Sequence, residues 1–443
     1  LIGERFKWEL DKKLIGNIIV VALTGAYYGF ILTNEISDWT TTEVITTILL
    51  TISSYLVATF GPFITREENL GFWQYNRLLI QQLSLTFLVC LTFFAGIALI
   101  LFSIDSLFTI NIEEELYGDF FVVIAGVLAP LMLFSLIPKD LNKLNSDKDL
   151  SKVAKGFGQY VLVPLVTVYT AILYIYAANI LISQEWPKGI ISGLIIGYAV
   201  VGIVTLLILH PYQDVKANTW ITKYQNWFYI LLIPLTIMLF MAIGIRLSDY
   251  GFTESRYYVL VLGIWLVALS SYFTLSKKRD LKLIPLSVTV VLVLSLFGPW
   301  SAFNISENSQ VDRLQTLLEE HELLENNTLT GKVMDTDMEL EKQQSVHSIL
   351  RYLGSNHDYT KIEPWFMDEA PENYKQLPQW EKNATVLAIF GVKNYPYAYR
   401  STQRSFRIDK NSYFNISGYD HLLLVNIRND HRQKIEIADK EYW

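Results

Sequence analysis

The stretch YYVLVLGIWLVALSSYFTLSKKRDLKLIPLSVTVVLVLSLFGPWSAFNIS (257–306) decides the fold. It holds two runs without Asp, Glu, Lys or Arg, 257–276 and 283–306, split by Lys277-Lys278-Arg279-Asp280-Leu281-Lys282. A helix crossing the hydrocarbon core of a bilayer needs about 20 mostly apolar residues. A charge at its centre costs roughly 2.5–3.5 kcal/mol. Both runs meet the requirement. After Phe-Gly-Pro-Trp-Ser-Ala-Phe (297–303) no charge-free run of that length follows. The chain upstream therefore reads as membrane, and the chain downstream as a water-soluble domain.

The same test applied upstream predicts nine spans, at about 14–34, 44–65, 80–103, 119–138, 158–183, 189–210, 227–246, 257–276 and 283–300. Buried helices of a large soluble domain would show polar faces at helical spacing, and these runs lack them. Composition agrees: 51% of residues are hydrophobic and mean hydropathy is +0.29. The net charge of −7 argues against nucleic acid as a partner. The lone cysteine, Cys90, cannot form an intramolecular disulfide. A chain that opens at Leu1 and stops at Trp443 is expected to be an internal stretch of a longer protein.

Lys and Arg in the connecting segments set the orientation. Alternate connections carry 17 of them on one side and 3 on the other. The excess predicts a cytoplasmic N-terminus and, with nine spans, an extracytoplasmic domain over residues 303–443. That domain is read as α+β. Helices are expected over 311–324 and 339–354, and short antiparallel strands at 385–392, 405–408, 422–427 and 434–438. The expected architecture is thus an all-α membrane bundle, residues 1–302, followed by a soluble α+β domain, residues 303–443.

Pro130, Pro164, Pro234 and Pro285 share a Leu-x-Pro-Leu setting, and the last three fall near the starts of their runs. Proline in a first helical turn costs little, because its missing N–H has no partner there anyway. The alternative is a set of broken helices lining a substrate path. The runs hold no acid, Lys or Arg, which argues against an ion-coupled carrier.

The densest polar stretch near the membrane is Arg246-Leu-Ser-Asp249-Tyr-Gly-Phe-Thr-Glu254-Ser-Arg256-Tyr-Tyr258. Two arginines and two acids so close are expected to pair with each other, capping the hairpin beneath the outer domain. Gly251 permits the turn. Arg246, Asp249, Glu254 and Arg256, with Trp300 at the boundary, are the candidate binding residues. Catalytic and metal-binding sets are not found, and no cofactor is expected. The histidines show no metal-ligand spacing, and there is no nucleophile elbow or phosphate-binding glycine loop. Asp420-His421 would place its side chains on opposite faces of a strand. The tyrosines at 395, 397 and 399 are read as sheet packing.

Six segments taken together, Phe121–Pro130, Trp186–Gly189, Tyr250–Tyr257, Lys278–Pro285, Phe297–Ala302 and Ser417–Asp420, resemble the bacterial membrane family catalogued as domain of unknown function 4153. The likeness covers roughly residues 80–440. It implies a multi-pass protein of the bacterial inner membrane and brings no activity, substrate or catalytic residue. Three functions remain open. The first is a non-enzymatic envelope protein that presents its outer domain to another envelope protein or an envelope polymer. The second is a transporter or flippase. The third is an enzyme acting at the outer membrane–water interface through Asp249, Glu254 and Arg256. The lipid bilayer is a partner in all three.

Overall fold

The computed structural model describes residues 9–31, 40–64, 68–108, 114–135, 152–184, 190–213, 218–276, 278–330, 340–392, 435–437 and 440–442. Every expected apolar run carries helix: α1 (Leu10–Ile31), α2 (Thr41–Phe60), α3 (Asn69–Phe108), α4 and α5 (Glu114–Val123 and Ala129–Ser135), α6 and α7 (Lys152–Phe157 and Val163–Ser183), α8 (Ile190–Leu209), α9 (Thr219–Tyr250), α10 (Glu254–Leu275) and α11 (Leu283–Leu296). Among the described residues, seven helices are long and apolar enough to cross a membrane: Thr41–Phe63, Asn69–Leu101, Glu115–Leu133, Ala154–Ser183, Ile191–Tyr212, Thr219–Tyr250 and Glu254–Leu275. The chain is thereby a multi-pass membrane protein by length and composition. The run expected to span 283–300 is helical only over its 14 residues Leu283–Leu296. That is about 21 Å of helix, short of a bilayer core of about 30 Å. Gly298, at φ 88°, turns the chain just beyond it.

Of the four Leu-x-Pro-Leu prolines, one opens a helix that has no helical turn before it. This is Pro285, the third residue of α11. Pro234 lies in the middle of α9. Pro130 and Pro164 each sit just after a π-helical turn, Ile124–Leu128 and Gly158–Leu162. Proline clashes with the carbonyl four residues back and cannot bond to it. A π turn adds a residue to the ladder and moves that carbonyl aside, so the helix continues. Gly158 in the second π turn lets α8 approach closely, since a Cβ there would lie 2.7 Å from Leu209 Cδ2.

The bundle core runs through α7, α8, α9 and α10. Tyr198 lies 5.4 Å from Phe228, Phe228 lies 5.3 Å from Tyr229, and Tyr229 stacks on Phe273 at 5.0 Å. Phe228 occupies the space left by Gly202, where a Cβ would come 2.0 Å from its ring. Two internal cavities have room for at most a single water: one with about 10 Å³, touching Tyr229 and Phe273, and one with none, touching Leu173 and Leu235. At one end of the bundle, Asn69 accepts from the Leu281 amide and donates to the Arg279 carbonyl, while Arg279 donates to Asn226 Oδ1 at 2.6 Å. These bonds tie the α10–α11 loop to α3 and α9. Along its length α11 packs on α2.

A second core follows. Helix α12 (Ala302–Glu320) is capped by the Ser301 hydroxyl, which accepts from the Asn304 amide. Helices α13 (Leu340–His357), α14 (Glu363–Phe366) and α15 (Gln379–Ile389) complete it. Leu314, Leu318, Val346, Leu350, Leu353, Ile362, Phe366 and Val386 form its buried centre. The expected helices at 311–324 and 339–354 are thus present as α12 and α13. A hairpin, β1 (Leu324–Glu325) with β2 (Thr328–Leu329), turns through Asn326 and Asn327 at φ 51° and 61°. Two left-handed central residues suit the twist of such a hairpin, and Asn tolerates them.

The segment 385–392, expected as a strand, is helical. Helix α15 begins at Gln379, after Pro378, and Val386 and Phe390 bury one face four residues apart. It ends at Gly391, φ 65°, where the Val392 amide bonds Leu387 O and the Gly391 amide bonds Ala388 O. This is the glycine-terminated helix end of the Schellman type. A short apolar run does not separate helix from strand by period alone, and the start signal lay upstream of it. The expected strand at 434–438 is present as β3 (Ile435–Ile437), paired antiparallel with β4 (Lys440–Tyr442). The strands expected at 405–408 and 422–427, Asp420-His421 and the tyrosines at 395–399 lie outside the described residues. Residues 1–392 form one compact unit and 393–443 another.

Gly202→Val forces Phe228 out of its place, so we expect a loss of about 1–3 kcal/mol, read as a lower melting temperature of the detergent-purified chain. Gly193→Ala, where nothing lies within 4 Å of the added Cβ, is the control and is expected to keep or raise that temperature.

Candidate functional site

The polar hairpin between α9 and α10 lies beneath the second core. Helix α9 stops at Tyr250 because Gly251 takes φ 66°. A side chain there would also collide with α12, since its Cβ would lie 2.9 Å from Ser309 Oγ and 3.0 Å from Gln310 Nε2. A helix end leaves carbonyls without partners, and here α12 supplies them. Gln310 Nε2 donates to the carbonyls of Tyr250 (2.9 Å) and Phe252 (2.7 Å). The Phe252 amide donates to Ser309 Oγ at 2.9 Å. Gln310 is buried, so these bonds are shielded from competing water.

Glu254 opens α10 and is only 5% exposed. An isolated buried carboxylate is costly, so its partners decide whether the site is stable. They come from the last turns of α13. Tyr352 OH donates to Oε1 at 2.8 Å, His357 Nε2 contacts the same oxygen at 3.1 Å, and Asn356 Nδ2 donates to Oε2 at 3.3 Å. Tyr352 OH and His357 Nε2 are themselves 3.1 Å apart. A carboxylate only accepts, so the proton between it and the imidazole sits on Nε2. Burial first, then the Glu254 charge, push the Tyr352 phenol well above its ordinary range, which keeps it a donor. The end of α13 is also held from α2: Thr42 Oγ1 donates to the Asn356 carbonyl at 2.7 Å and Thr41 Oγ1 to that of Ser355 at 3.3 Å.

The expected internal pairing of the hairpin charges is not what forms. Glu254 turns to α13. Arg256 donates through Nη1 to the carbonyls of Tyr250 (3.0 Å) and Gly251 (2.7 Å), with its guanidinium 5.5 Å from the Tyr250 ring centre. Arg313 of α12 lies 5.8 Å from the same ring and is near enough to Asp249 to feel its charge. Arg246 is close enough to Arg256 for the two to repel. Among the described ion pairs none joins an arginine of the hairpin to one of its acids. The reason is burial: helix-end carbonyls and a nearly enclosed carboxylate need partners more than solvated charges need each other. Trp300 is 54% exposed, donates from Nε1 to Leu294 O at 3.0 Å, and accepts from Tyr257 OH on its carbonyl at 2.8 Å.

Sequence reasoning missed Tyr352, Asn356, His357, Ser309 and Gln310. Tyr352, Asn356 and His357 do carry a signal, three polar groups within six residues at the C-terminal end of an amphipathic helix. Among the described residues no group of His, Cys, Asp and Glu is arranged to hold a metal ion. Chemically, the cluster is a fully engaged carboxylate that joins two helices.

We expect Tyr352→Phe, and separately Glu254→Gln, to destabilise the chain by about 1–3 kcal/mol each, because each leaves a buried polar group without its partner. Their double mutant should cost less than the sum, as for residues in one network. Trp380→Ser, at a residue 70% exposed, is the neutral control. Thermal melts of the whole chain in detergent measure all four.

One comparison with known proteins extends over most of the chain: the uncharacterized protein PM1469 of Pasteurella multocida (strain Pm70) is 24% identical over 366 residues, 78% of this chain. The chain covers 62% of that relative's length. No solved structure is significantly similar. The family model described as Domain of unknown function (DUF4153) matches residues 11–328, and the chain belongs to that family.

Proposed function

We propose that the protein is a non-enzymatic membrane protein that holds a soluble domain firmly at the outer face of the bacterial inner membrane and presents it to an envelope protein or an envelope polymer. In this reading the chain spans the membrane nine times, the short α11 being carried across by the apolar residues that follow it to Trp300, its N-terminal side is cytoplasmic, and the soluble domain is residues 303–443. Arg246, Asp249, Glu254, Arg256 and Trp300 form the seat on which that domain rests. The observation that carries the reading is the engagement of Glu254. Its hydrogen bonds to other residues' side chains go to Tyr352, Asn356 and His357, which leaves it a fastening.

Two further features support the orientation. The ends of α2, α9, α10 and α11 that meet α12 and α13 are the ends with few Lys and Arg nearby in sequence. The opposite ends meet around Asn69, Asn226 and the basic loop 278–282. The tight aromatic core of α7–α10 favours an anchor over a carrier, because the two described internal cavities there have no room for a solute.

A photo-crosslinking residue at position 380, on the exposed face of α15, tests the reading in intact spheroplasts. A discrete adduct to one envelope component is expected, formed from the outside and lost in the Glu254→Ala chain. Adducts to lipid alone would contradict it. For orientation, with Cys90→Ser as background, Trp380→Cys should react with a membrane-impermeant maleimide in intact spheroplasts. Lys278→Cys should react only after lysis, and the reverse pattern would overturn the assignment.

A further inference from the structure

Helices α10 and α11 form a hairpin, yet they part along their length. Helix α10 packs on α9 and α11 packs on α2. Between them lies a groove of about 480 Å³, open to the side and floored by the bond from Trp265 Nε1 to Ser287 Oγ at 2.9 Å. Its volume falls within the usual range of ligand sites, roughly 300–1,000 Å³. Its walls are Val261, Ile264, Ala268, Leu286 and Val290, with their neighbours. The polar groups on its floor satisfy each other, so nothing in the groove asks for a hydrogen bond. The occupant must be apolar and narrow, and it must be present at the depth of membrane-spanning helices.

One end of the groove is charged. Leu286 bonds through its amide to the carbonyl of Lys282, so a single helical turn separates the groove from the basic loop. Residues 277–282 hold four bases against one acid. Lys282 pairs with Asp280 at 3.1 Å, and Lys278 is exposed. The loop is fixed in shape: Asn69 binds both sides of it, Asn226 holds the Arg279 side chain, and Tyr272 OH accepts from the Asp280 amide at 3.0 Å. Arg279 sits at φ 44°, a conformation uncommon for a residue other than glycine and kept only where the surroundings impose it. A preformed cationic loop beside an apolar slot between helices matches a lipid with a negative headgroup and a hydrocarbon chain.

We propose that the α10–α11 groove binds an anionic phospholipid, with one acyl chain in the slot and its phosphate at Lys278 and Arg279. The two parts of the site make separable contributions. The slot takes the chain whatever the headgroup, and the loop selects the charge. This binding requires only the hairpin and does not depend on the role of the soluble helices.

Native mass spectrometry of the whole chain, delipidated in detergent and titrated with phosphatidylglycerol or phosphatidylcholine of identical acyl chains, tests it. Phosphatidylglycerol should be retained preferentially. Lys278→Ala should weaken its retention about fivefold and that of phosphatidylcholine by less, because choline offsets the charge of its phosphate. Ala268→Trp fills the slot and should reduce retention of both lipids. Val290→Trp, on the exposed rim, provides the same block by a second route if the first variant is unstable. Equal retention of the two lipids, or blocked variants that bind as the parent does, would overturn the site.

Discussion

The arrangement turns on burying a carboxylate at the start of a membrane helix. Glu254 is nearly enclosed, and a carboxylate in that position is tolerable only while donors surround it. Those donors come from Tyr352, Asn356 and His357, about a hundred residues later in the chain. The constraint therefore fixes where α13 ends, how α12 and α13 pack on the bundle, and why α2 reaches the same point with Thr41 and Thr42. Gly251 and Gln310 do the same for α12, through the open carbonyls at the end of α9. Two helix termini that would otherwise face water or headgroups are closed by side chains of the second core.

Within the bundle the problem is different, because apolar side chains gain nothing from leaving lipid for protein. Close packing and shared hydrogen bonds have to hold helices together there. The molecule meets this with small residues facing large rings, as Gly202 faces Phe228, and with bonds such as Thr170 to Tyr198 at 2.9 Å. Proline is accommodated by π turns at two positions, which keeps those helices continuous. The α10–α11 pair departs from this pattern, and the groove between its helices is where lipid has room to act as a structural component.

Much of the fold was legible in the sequence because bilayer thickness is a strict ruler. Charge-free runs mark helices: both ends of α8 and α10, and the C-terminal end of α7, fall within three residues of the predicted spans. Helix α11 was overestimated because absence of charge says nothing about where Gly298 turns the backbone. The segment 385–392 was misread because its apolar run began inside a helix whose start, at Pro378, lay outside the run. Of the junction, the sequence marked one half. Charge density singled out Arg246, Asp249, Glu254 and Arg256, and the exit of the last run singled out Trp300. It suggested that the charges would pair with each other, whereas Glu254 turns to distant side chains of α13 and Arg256 to backbone carbonyls of its own hairpin. Contacts between residues so far apart leave no local period to read, so Tyr352, Asn356 and His357 stayed invisible as partners.

Hydrogen exchange of the whole chain in lipid nanodiscs tests the central claim most directly. If Glu254 fastens the second core to the hairpin, the amides of 254–258 and 350–357 should be strongly protected and open together as one cooperative unit. Free exchange at 350–357 while the centre of α10 stays protected would contradict it, because α13 would then be moving independently of the hairpin.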